Sequence, residues 1–356
     1  MVLFRYFFDE RMNAMYLELI PEAGRFYKVN LHAHTNVSDG KRSPEEVKEY
    51  YKSHGYSAVC FTDHEVLIPH KDLCDDEFIA LHGYEIAVKK DEKGHTALFM
   101  PVYHFNAIAK SQDQVLMPHY YRDNPSCAGN ARKWINEQGV WDENDITDHT
   151  EYSIDWINAH LKAISDGGFL VTYNHPQYNL HNVNDFAGLK YVHAFEVING
   201  GCIRVNDNTG IHYEQFLRAG GRAVAIGGDD NHNVETSLIA WTMIKAPELS
   251  YDALISAYEH GYCYASDGPE IHSLVLRDGK ICIKTSPAAA IMLLSEGRCT
   301  MWELSPADDQ LVTEAEFNYE PNNFGKYFRI EVRDARGYHA FSNAYFTEDI
   351  EKQLAE

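Results

Sequence analysis

VNLHAHTNVSDG, residues 29–40, closes an apolar run with two histidines and then adds a carboxylate. His32 and His34 are two residues apart, and in an extended strand such a pair lies on one side of the backbone. Asp39 follows beside a glycine, where a loop can bring its carboxylate back to the imidazoles. The stretch alone predicts either half of a metal site or a strand that ends in two surface histidines, so the rest of the chain must decide.

Length and composition indicate a globular protein with a large core. At 356 residues the chain fits one β/α barrel with an appendage, or two domains. No uninterrupted apolar run approaches the roughly 20 residues that cross a bilayer, and charged residues interrupt the first twenty positions, so we expect a cytoplasmic protein. The seven cysteines contain no C-x-x-C pair, which argues against a disulfide framework or a zinc ribbon.

The charge balance restricts the class of partner. There are 31 Lys and Arg against 53 Asp and Glu, a net charge of −22, and the basic residues are not gathered in one block. Such a chain would repel long duplex DNA, whereas a short nucleotide or another small anionic ester held by metal ions is compatible with it. Part of the acidity is explained if carboxylates serve as ligands for divalent cations.

The apolar pattern predicts an α/β fold with a β-rich C-terminal domain. From Phe26 to about Met243, short apolar runs alternate with amphipathic segments, which is typical of βα units around a parallel sheet. A strand is predicted at His95–Val102, and the polar segment 103–150 is predicted to be an insertion over one face. After Gly268 short β-type runs and turns predict a small antiparallel sheet. The predicted domains are residues 1–268 and 269–356.

Chemistry-bearing residues recur where the predicted strands end. Four of the segments close apolar runs, namely Thr62-Asp63-His64, Gly83-Tyr84-Glu85, Tyr173-Asn174-His175 and Gly228-Asp229-Asp230-Asn231-His232. A fifth, Gly94-His95-Thr96, places a histidine at the start of an apolar run. In a β/α barrel the C-terminal ends of the strands share one face, so side chains that are distant in sequence meet there. Any one of these histidines alone is as well explained by a bond to a backbone carbonyl, but their repetition favours a metal centre. Imidazole and carboxylate together suit zinc, manganese or iron, and so many ligands imply two or three divalent ions.

In this order, the motifs L-H-x-H-T-x-x-S-D-G, T-D-H, G-x-E, N-H-P and G-D-D-x-H resemble the PHP (polymerase and histidinol phosphatase) family. The resemblance covers roughly Val29 to His232. It implies a distorted seven-stranded β/α barrel with a trinuclear centre and phosphoester hydrolysis. The sequence around Gly268-Pro269-Glu270-Ile271 and Phe341-Ser342-Asn343-Ala344 also resembles a branch with a β-rich C-terminal appendage, to which carbamate or other ester hydrolysis is sometimes ascribed.

The resemblance also implies which side chains bind which metal. His32, His34, Glu85 and Asp230 would hold one ion, and Asp39, His64 and His232 would hold a second. Glu85 would bridge to a third ion bound by His95 and His175. A hydroxide bridging two of the metals would then attack the phosphorus atom in line.

Further residues have open roles. Asp63 either orients an imidazole or caps the turn, and Asp229 either supports Asp230 or, like Asp63 or a protonated histidine such as His232, assists the leaving group. Arg204 follows a predicted strand, where its guanidinium would fork onto a phosphate or form a surface ion pair. His181 is a second candidate for substrate binding, with a solvated position as the alternative.

The predicted function is hydrolysis of a phosphomonoester or of a small phosphodiester or nucleotide. Hydrolysis of a carboxylic or carbamic ester or an amide at the same centre is one alternative. A non-catalytic binding or scaffold domain is another, disfavoured because every motif position is filled. Motifs for a serine nucleophile, an NTPase or a dinucleotide enzyme are missing from the sequence. The oligomeric state stays open.

Overall fold

The computed structural model describes residues 15–89, 99–118, 127–141, 151–202, 210–307 and 310–355. The chain divides into two compact units. The first unit comprises Ala23–Asp267 and Phe341–Asn343. Of the described residues, the second unit takes those up to Glu22, Gly268–Ala340 and those from Ala344 onward.

The strands, in chain order, are β1 Tyr16–Glu18, β2 Arg25–Ala33, β3 Ala58–Phe61, β4 Ile79–Lys89, β5 Val102–Ala109, β6 Leu116–Met117, β7 Val140–Trp141, β8 Phe169–Tyr173, β9 Ala194–Asn199, β10 Val224–Gly228, β11 Trp241–Ala246, β12 Cys263–Ser266, β13 Ile271–Arg277, β14 Lys280–Ala288, β15 Ala290–Ser295, β16 Thr300–Leu304, β17 Val312–Asn318, β18 Tyr327–Arg333, β19 His339–Ser342 and β20 Tyr345–Phe346.

The α-helices are α1 Pro44–Ser53, α2 Ala131–Gln138, α3 Ile154–Asp166, α4 Val183–Phe186, α5 Ile211–Arg218, α6 Tyr251–Glu259, α7 Pro321–Phe324 and α8 Thr347–Ala355. Local sequence explains where several of them begin. Ser43 and Glu46 form a capping box at the start of α1, with Pro44 in the first turn. Ser153 and Ser250 accept backbone bonds at the starts of α3 and α6.

The first unit is built on one mixed sheet with the strand order β10-β9-β8-β5-β4-β3-β2-β11-β12. Strands β2, β3 and β4 run parallel to one another, as do β8, β9 and β10. Strand β5 runs antiparallel to both β4 and β8. Buried aliphatic side chains of β2, β3, β4 and β10 pack with those of α6 into the core of this unit.

The sheet of the first unit curves, so that the chain after β10 lies beside the end of β2. The N–H of Asp230 donates to the carbonyl of His32 at 2.9 Å, and the N–H of His34 donates to the carbonyl of Asn231 at 3.2 Å. A parallel bridge between Ala33 and Asn231 completes this junction. The curvature therefore places the ends of β2 and β10, both rich in candidate ligands, side by side.

The second unit consists mainly of antiparallel strands. Its strands β1, β13, β14 and β17 form one sheet in that order. Strand β15 pairs with β16 and β18, and β18 pairs with β20. Helix α8 follows β20 near the end of the chain. The β-rich character predicted for the C-terminal part is confirmed.

The structure corrects three details of the predicted organisation. The chain from Val102 to Ala109 is a strand of the central sheet rather than the start of an insertion, because its apolar residues continue to pair with β4 and β8. This strand makes the sheet mixed rather than parallel. Strand β1 pairs with β13, so the described N-terminal residues belong with the second unit. No helix of the described residues has the length and apolarity required to cross a membrane.

Candidate metal centre

The two histidines of β2 converge on one point, as their spacing predicts. The His32 ring is fully buried and His34 is 1% exposed, and their Nε2 atoms lie 3.2 Å apart. Asp230, in the loop after β10, brings Oδ1 to 3.1 Å from His34 Nε2 and 3.5 Å from His32 Nε2. These three side chains form a set of atoms spaced to hold one cation. The structure thus brings together most of the first predicted ligand set.

Glu85 on β4 lies at the middle of the cluster. Its carboxylate is 3.4 Å from His32 Nε2, 3.3 Å from His34 Nε2 and 3.0 Å from His64 Nδ1. The amide of Asn174 donates to Glu85 Oε1 at 2.7 Å. Because β4 is buried along almost its whole length, this glutamate is 1% exposed and depends on its neighbours for compensation.

A second set of side chains surrounds Asp39. His232 Nε2 is 3.3 Å from Asp39 Oδ1, and His64 Nε2 is 3.8 Å from Asp39 Oδ2. His34 Nδ1 lies 4.0 Å from the same carboxylate. The side chains of Asp39 and His232 are 33% and 35% exposed, so this part of the cluster opens to solvent. The arrangement brings together Asp39, His64 and His232 as the motifs predicted, and it adds His34 as their neighbour.

The third set contains a residue that the sequence analysis missed. Glu85, His104 and His175 are spaced to hold a cation, with His104 Nδ1 and His175 Nε2 each 3.2 Å from Glu85 Oε1. His95, which was predicted for this position, lies outside the described residues. His104 was overlooked because the segment from residue 103 was assigned to an insertion. The available signal was the apolar pattern of Phe105 to Ala109, which continues the strand beyond it.

Glu196 is the second residue that the sequence analysis missed. It lies on β9, accepts from the N–H of His175 at 3.0 Å and from the Asn199 amide at 2.8 Å, and places Oε1 3.0 Å from His32 Nδ1. A carboxylate on the far nitrogen of a ligating imidazole fixes its orientation and tautomer. The signal was an acidic residue inside the otherwise apolar run of this strand.

Asp63 caps a turn and does not orient an imidazole. Its carboxylate accepts from the N–H and hydroxyl of Thr35, both at 2.8 Å, and from the N–H and hydroxyl of Ser38, at 3.0 and 2.7 Å. These bonds fix the loop that carries Asp39. A carboxylate with four donors in a 3% exposed site is poorly placed to deliver a proton, so the proposed role of Asp63 in assisting the leaving group is not supported by its geometry.

Asp229 is likewise committed to the structure around the centre. One oxygen accepts from the Tyr51 hydroxyl at 2.7 Å and the N–H of Leu238 at 2.8 Å, and the other accepts from the N–H groups of Ile239 and Ala240. Burial raises the pKa of this carboxyl to about 6, against the lowering effect of those donors. The residue anchors the chain before β11, and neither of its oxygens is free for a substrate.

Of the two predicted substrate-binding residues, the structure describes only His181. His181 is 6% exposed and directs Nδ1 at the Tyr173 hydroxyl and Nε2 at the Tyr152 hydroxyl. Burial lowers its pKa to about 3, so it is a neutral ring packed among tyrosines rather than a phosphate ligand. Arg204 lies outside the described residues.

The electrostatics of the cluster are those of carboxylates crowded among imidazoles. Burial acts to lower the pKa of His34, but hydrogen bonds and charge from Asp230 and Glu85 outweigh it and raise the pKa to about 10. Burial and the neighbouring His34 instead lower the pKa of His64 to about 3. Burial opposes ionisation of Glu85, yet the surrounding histidines hold its pKa well below the usual range. The site thus stabilises anionic oxygens where cations would bind.

Two buried atoms test whether metal ions fit. His34 Nδ1 and Glu85 Oε2 have no hydrogen-bond partner, although buried polar atoms are normally paired. His175 and Asp230 also have positive φ angles of 21° and 48°, a backbone conformation that residues other than glycine seldom adopt. A buried imidazole nitrogen and a buried carboxylate oxygen without hydrogen-bond partners match the donor types that divalent transition metals prefer.

The comparisons with known proteins agree with the motifs at the level of the family. The family model of the PHP domain matches residues 30–139, which confirms the resemblance to this family in that part of the chain. The matched part includes His32, His34, Asp39, His64 and Glu85, together with His104. No curated protein matches the chain in sequence.

Solved structures provide distant likenesses. A two-domain protein from Bacteroides vulgatus ATCC 8482, described as containing a predicted PHP-like metal-dependent phosphoesterase, is 14% identical with a TM-score of 0.44, covering 92% of this chain and 98% of its own. A structure from Bifidobacterium adolescentis ATCC 15703, described as an inferred metal-dependent phosphoesterase, is 14% identical with a TM-score of 0.35, covering 60% and 89%. An amidohydrolase from Chromobacterium violaceum with bound sulfate and no metal is 15% identical with a TM-score of 0.36, covering 57% and 87%. Likenesses this distant carry no argument about activity.

Proposed function

We propose that this chain, which contains a PHP domain, is a metal-dependent hydrolase that cleaves a phosphomonoester or a small phosphodiester. The observation that carries the proposal is a set of overlapping ligand groups that share His32, His34 and His175. Overlap of this kind places several cation positions next to one another, which is the arrangement used for phosphoryl transfer.

The curved sheet supports the same proposal. We take it to be the seven-stranded β/α barrel that the family resemblance implies, with the backbone bonds between His32, His34 and the loop after β10 joining its ends. In such a barrel the C-terminal ends of the strands form the functional face. His32, Glu85, His175 and Asp230 come from four different strand segments that meet there.

The residues present fit two or three divalent ions. Asp230 with His32 and His34, Asp39 with His64 and His232, and Glu85 with His104 and His175 would each hold one. Bound ions would supply Lewis acidity toward a phosphoryl oxygen and lower the pKa of water. A phosphoester is favoured over a carboxylic ester because its larger negative charge benefits more from several neighbouring cations.

The chain's own groups would position the metal ligands. Glu196 holds the His32 ring, and Asp63 holds the loop of Asp39, so the ligands are positioned before substrate arrives. Of the three predicted proton donors, only His232 reaches solvent, with Nδ1 3.1 Å from the carbonyl of Asp230. Because Nε2 of His232 faces Asp39 in the second ligand set and Nδ1 faces a carbonyl, its ring would have no nitrogen free once a metal is bound. We therefore assign protonation of the leaving oxygen to solvent rather than to His232, Asp63 or Asp229.

The decisive experiment combines metal analysis with a substrate comparison. The purified chain is reconstituted with zinc, manganese or iron and assayed with p-nitrophenyl phosphate, bis-p-nitrophenyl phosphate and p-nitrophenyl acetate. We expect bound metal and a clear preference for the phosphate esters. His32→Ala should lose metal and activity together, while His260→Ala, at an exposed position after α6, serves as the matched control.

The possible outcomes separate the candidate functions. A preference for p-nitrophenyl acetate would overturn the phosphoesterase proposal in favour of carboxylic ester hydrolysis. A wild-type chain that binds metal but cleaves none of the substrates would support a binding or scaffold role instead. If His32→Ala kept wild-type turnover, the hydrolysis would not depend on this metal centre and the proposal would be wrong.

A further inference from the structure

Tyr178 occupies the rim of the candidate centre. It lies in the turn after β8, and its ring contacts the His175 ring edge to face at 5.3 Å between centroids, with His104 at 6.4 Å. The residue is nevertheless 54% exposed. The Tyr178 side chain thus contacts two candidate ligand histidines and also faces solvent. It is placed to meet a substrate that approaches the cluster from solvent.

The turn that carries Tyr178 is held rigidly. The next residue, Asn179, is fully buried, with Oδ1 3.0 Å from His175 Nδ1, and its amide donates to the carbonyl of Asn174 at 2.9 Å. The N–H of Asn179 also donates to the carbonyl of His175 at 3.2 Å. The same contacts that orient the His175 ring therefore position Tyr178, which reduces the conformational cost of using it.

The hydroxyl of Tyr178 is available to a ligand. None of the described residues forms a hydrogen bond with it, and the side chain is exposed enough for a ligand to reach it. A tyrosine hydroxyl is protonated at neutral pH, so this group can donate a hydrogen bond.

We propose that the hydroxyl of Tyr178 donates a hydrogen bond to a non-bridging oxygen of the phosphoryl group bound at this centre. The inference rests on the proposed function and deepens it, since it makes Tyr178 a residue that contacts substrate. A donor on the open side of the cluster would complement cations on the buried side, so the anionic oxygens of the ester are held from two directions.

The test uses the full chain reconstituted with metal, as wild type, Tyr178→Phe, Tyr178→Leu and the control Tyr191→Phe. Tyr191 is an exposed tyrosine outside the cluster. We expect kcat/KM for p-nitrophenyl phosphate to fall about 10- to 100-fold in Tyr178→Phe, the loss typical of one hydrogen bond to a charged group. Calorimetry should show a rise of similar size in the Kd for inorganic phosphate, with metal content unchanged.

Several results would overturn the inference. Tyr178→Phe could bind phosphate and turn over like wild type, or only Tyr178→Leu could be impaired, which would make the ring and not the hydroxyl the contact. Loss of metal from Tyr178→Phe would instead make the residue part of the ligand scaffold. Failure of the proposed function is distinguishable, because wild type itself would then not hydrolyse p-nitrophenyl phosphate.

Discussion

Glu85 shows how one residue can connect several ligand groups. Its carboxylate lies within 3.4 Å of nitrogens from His32, His34, His64, His104 and His175. Its Oε2 atom has no hydrogen-bond partner, while Oε1 accepts a hydrogen bond from the Asn174 amide. A buried carboxylate is costly without compensating positive charge, so this position depends on imidazoles and on cations for its stability.

His104 reaches Glu85 through strand register rather than sequence proximity. In the antiparallel pair of β4 and β5, Glu85 pairs with Asn106 and Ala87 pairs with His104. Side chains two residues apart share a face, so His104 is the diagonal neighbour of Glu85, within reach of a long side chain. This register makes His104, rather than His95, our candidate for the third metal.

The first prediction follows from that assignment. His104→Ala should lower the metal content of the reconstituted chain by about one ion, because the third ligand set loses a nitrogen donor. His95→Ala should retain wild-type metal content. Elemental analysis of both variants checks this, and the reverse pattern would return the ligand role to His95.

At the scale of elements, the centre depends on loops fixed by buried carboxylates. Asp63, just after β3, binds the loop between β2 and α1, and Asp229, just after β10, binds the chain before β11. In both cases an aspartate next to a candidate ligand satisfies backbone donors of another segment. Asp63 thereby joins the end of β3 to the loop after β2, and Asp229 joins the end of β10 to the chain before β11. These connections help to set the distances between the ligands on those segments.

The second prediction concerns the loop held by Asp63. Asp63→Asn replaces one of the two carboxylate oxygens by an NH2 group, which cannot accept a hydrogen bond, so at least one buried donor of Thr35 or Ser38 loses its partner. We expect a loss of about 2 to 4 kcal/mol in the free energy of unfolding, together with weaker metal binding at Asp39. Urea denaturation and metal titration measure the two effects. Asp76→Asn, at an exposed position, is the matched control, and equal stability of the two variants would contradict the role given to Asp63.

At the scale of the molecule, all four ligand groups found among the described residues belong to the first unit. The stability of this unit also depends on histidines buried away from the centre. His82 on β4 is fully buried, with Nε2 2.9 Å from the carbonyl of Gln114 and Nδ1 unpaired. Burial lowers the pKa of His82 to about 4.

The third prediction is a pH dependence with a defined sign. Because the unfolded chain binds a proton at His82 near pH 6.5 and the folded chain only near pH 4, stability is full above 6.5 and falls as the pH drops through that window. The contribution is at most about 1.4 kcal/mol per pH unit. Urea unfolding between pH 7 and 5 should show a shallower slope for His82→Gln than for wild type. Parallel slopes would show that His82 does not titrate as its burial implies.

Much of the candidate site was predictable because its motifs are local. The spacing of His32 and His34 on a strand, the capping box of α1 and the placement of His175 and Asp230 just after strands depend on short stretches of backbone. Glu85, by contrast, lies inside β4, which continues to Lys89 beyond the predicted strand end. Local geometry decides which side chains can share a face, and hydrophobic periodicity decides where strands end. The family match to residues 30–139 spans His32, His34 and Glu85 but ends before His175 and Asp230.

Other features were decided only by the tertiary structure, because they depend on which strands become neighbours. Strand order places β5 between β4 and β8, which brings His104 to Glu85. Curvature of the sheet places Glu196 of β9 beside His32 of β2, although 164 positions separate them in the chain. The sequence by itself determined the kinds of ligand and most of their positions. The folding of the sheet determined how those ligands are grouped, since contacts between distant strands follow from register and curvature rather than from local spacing.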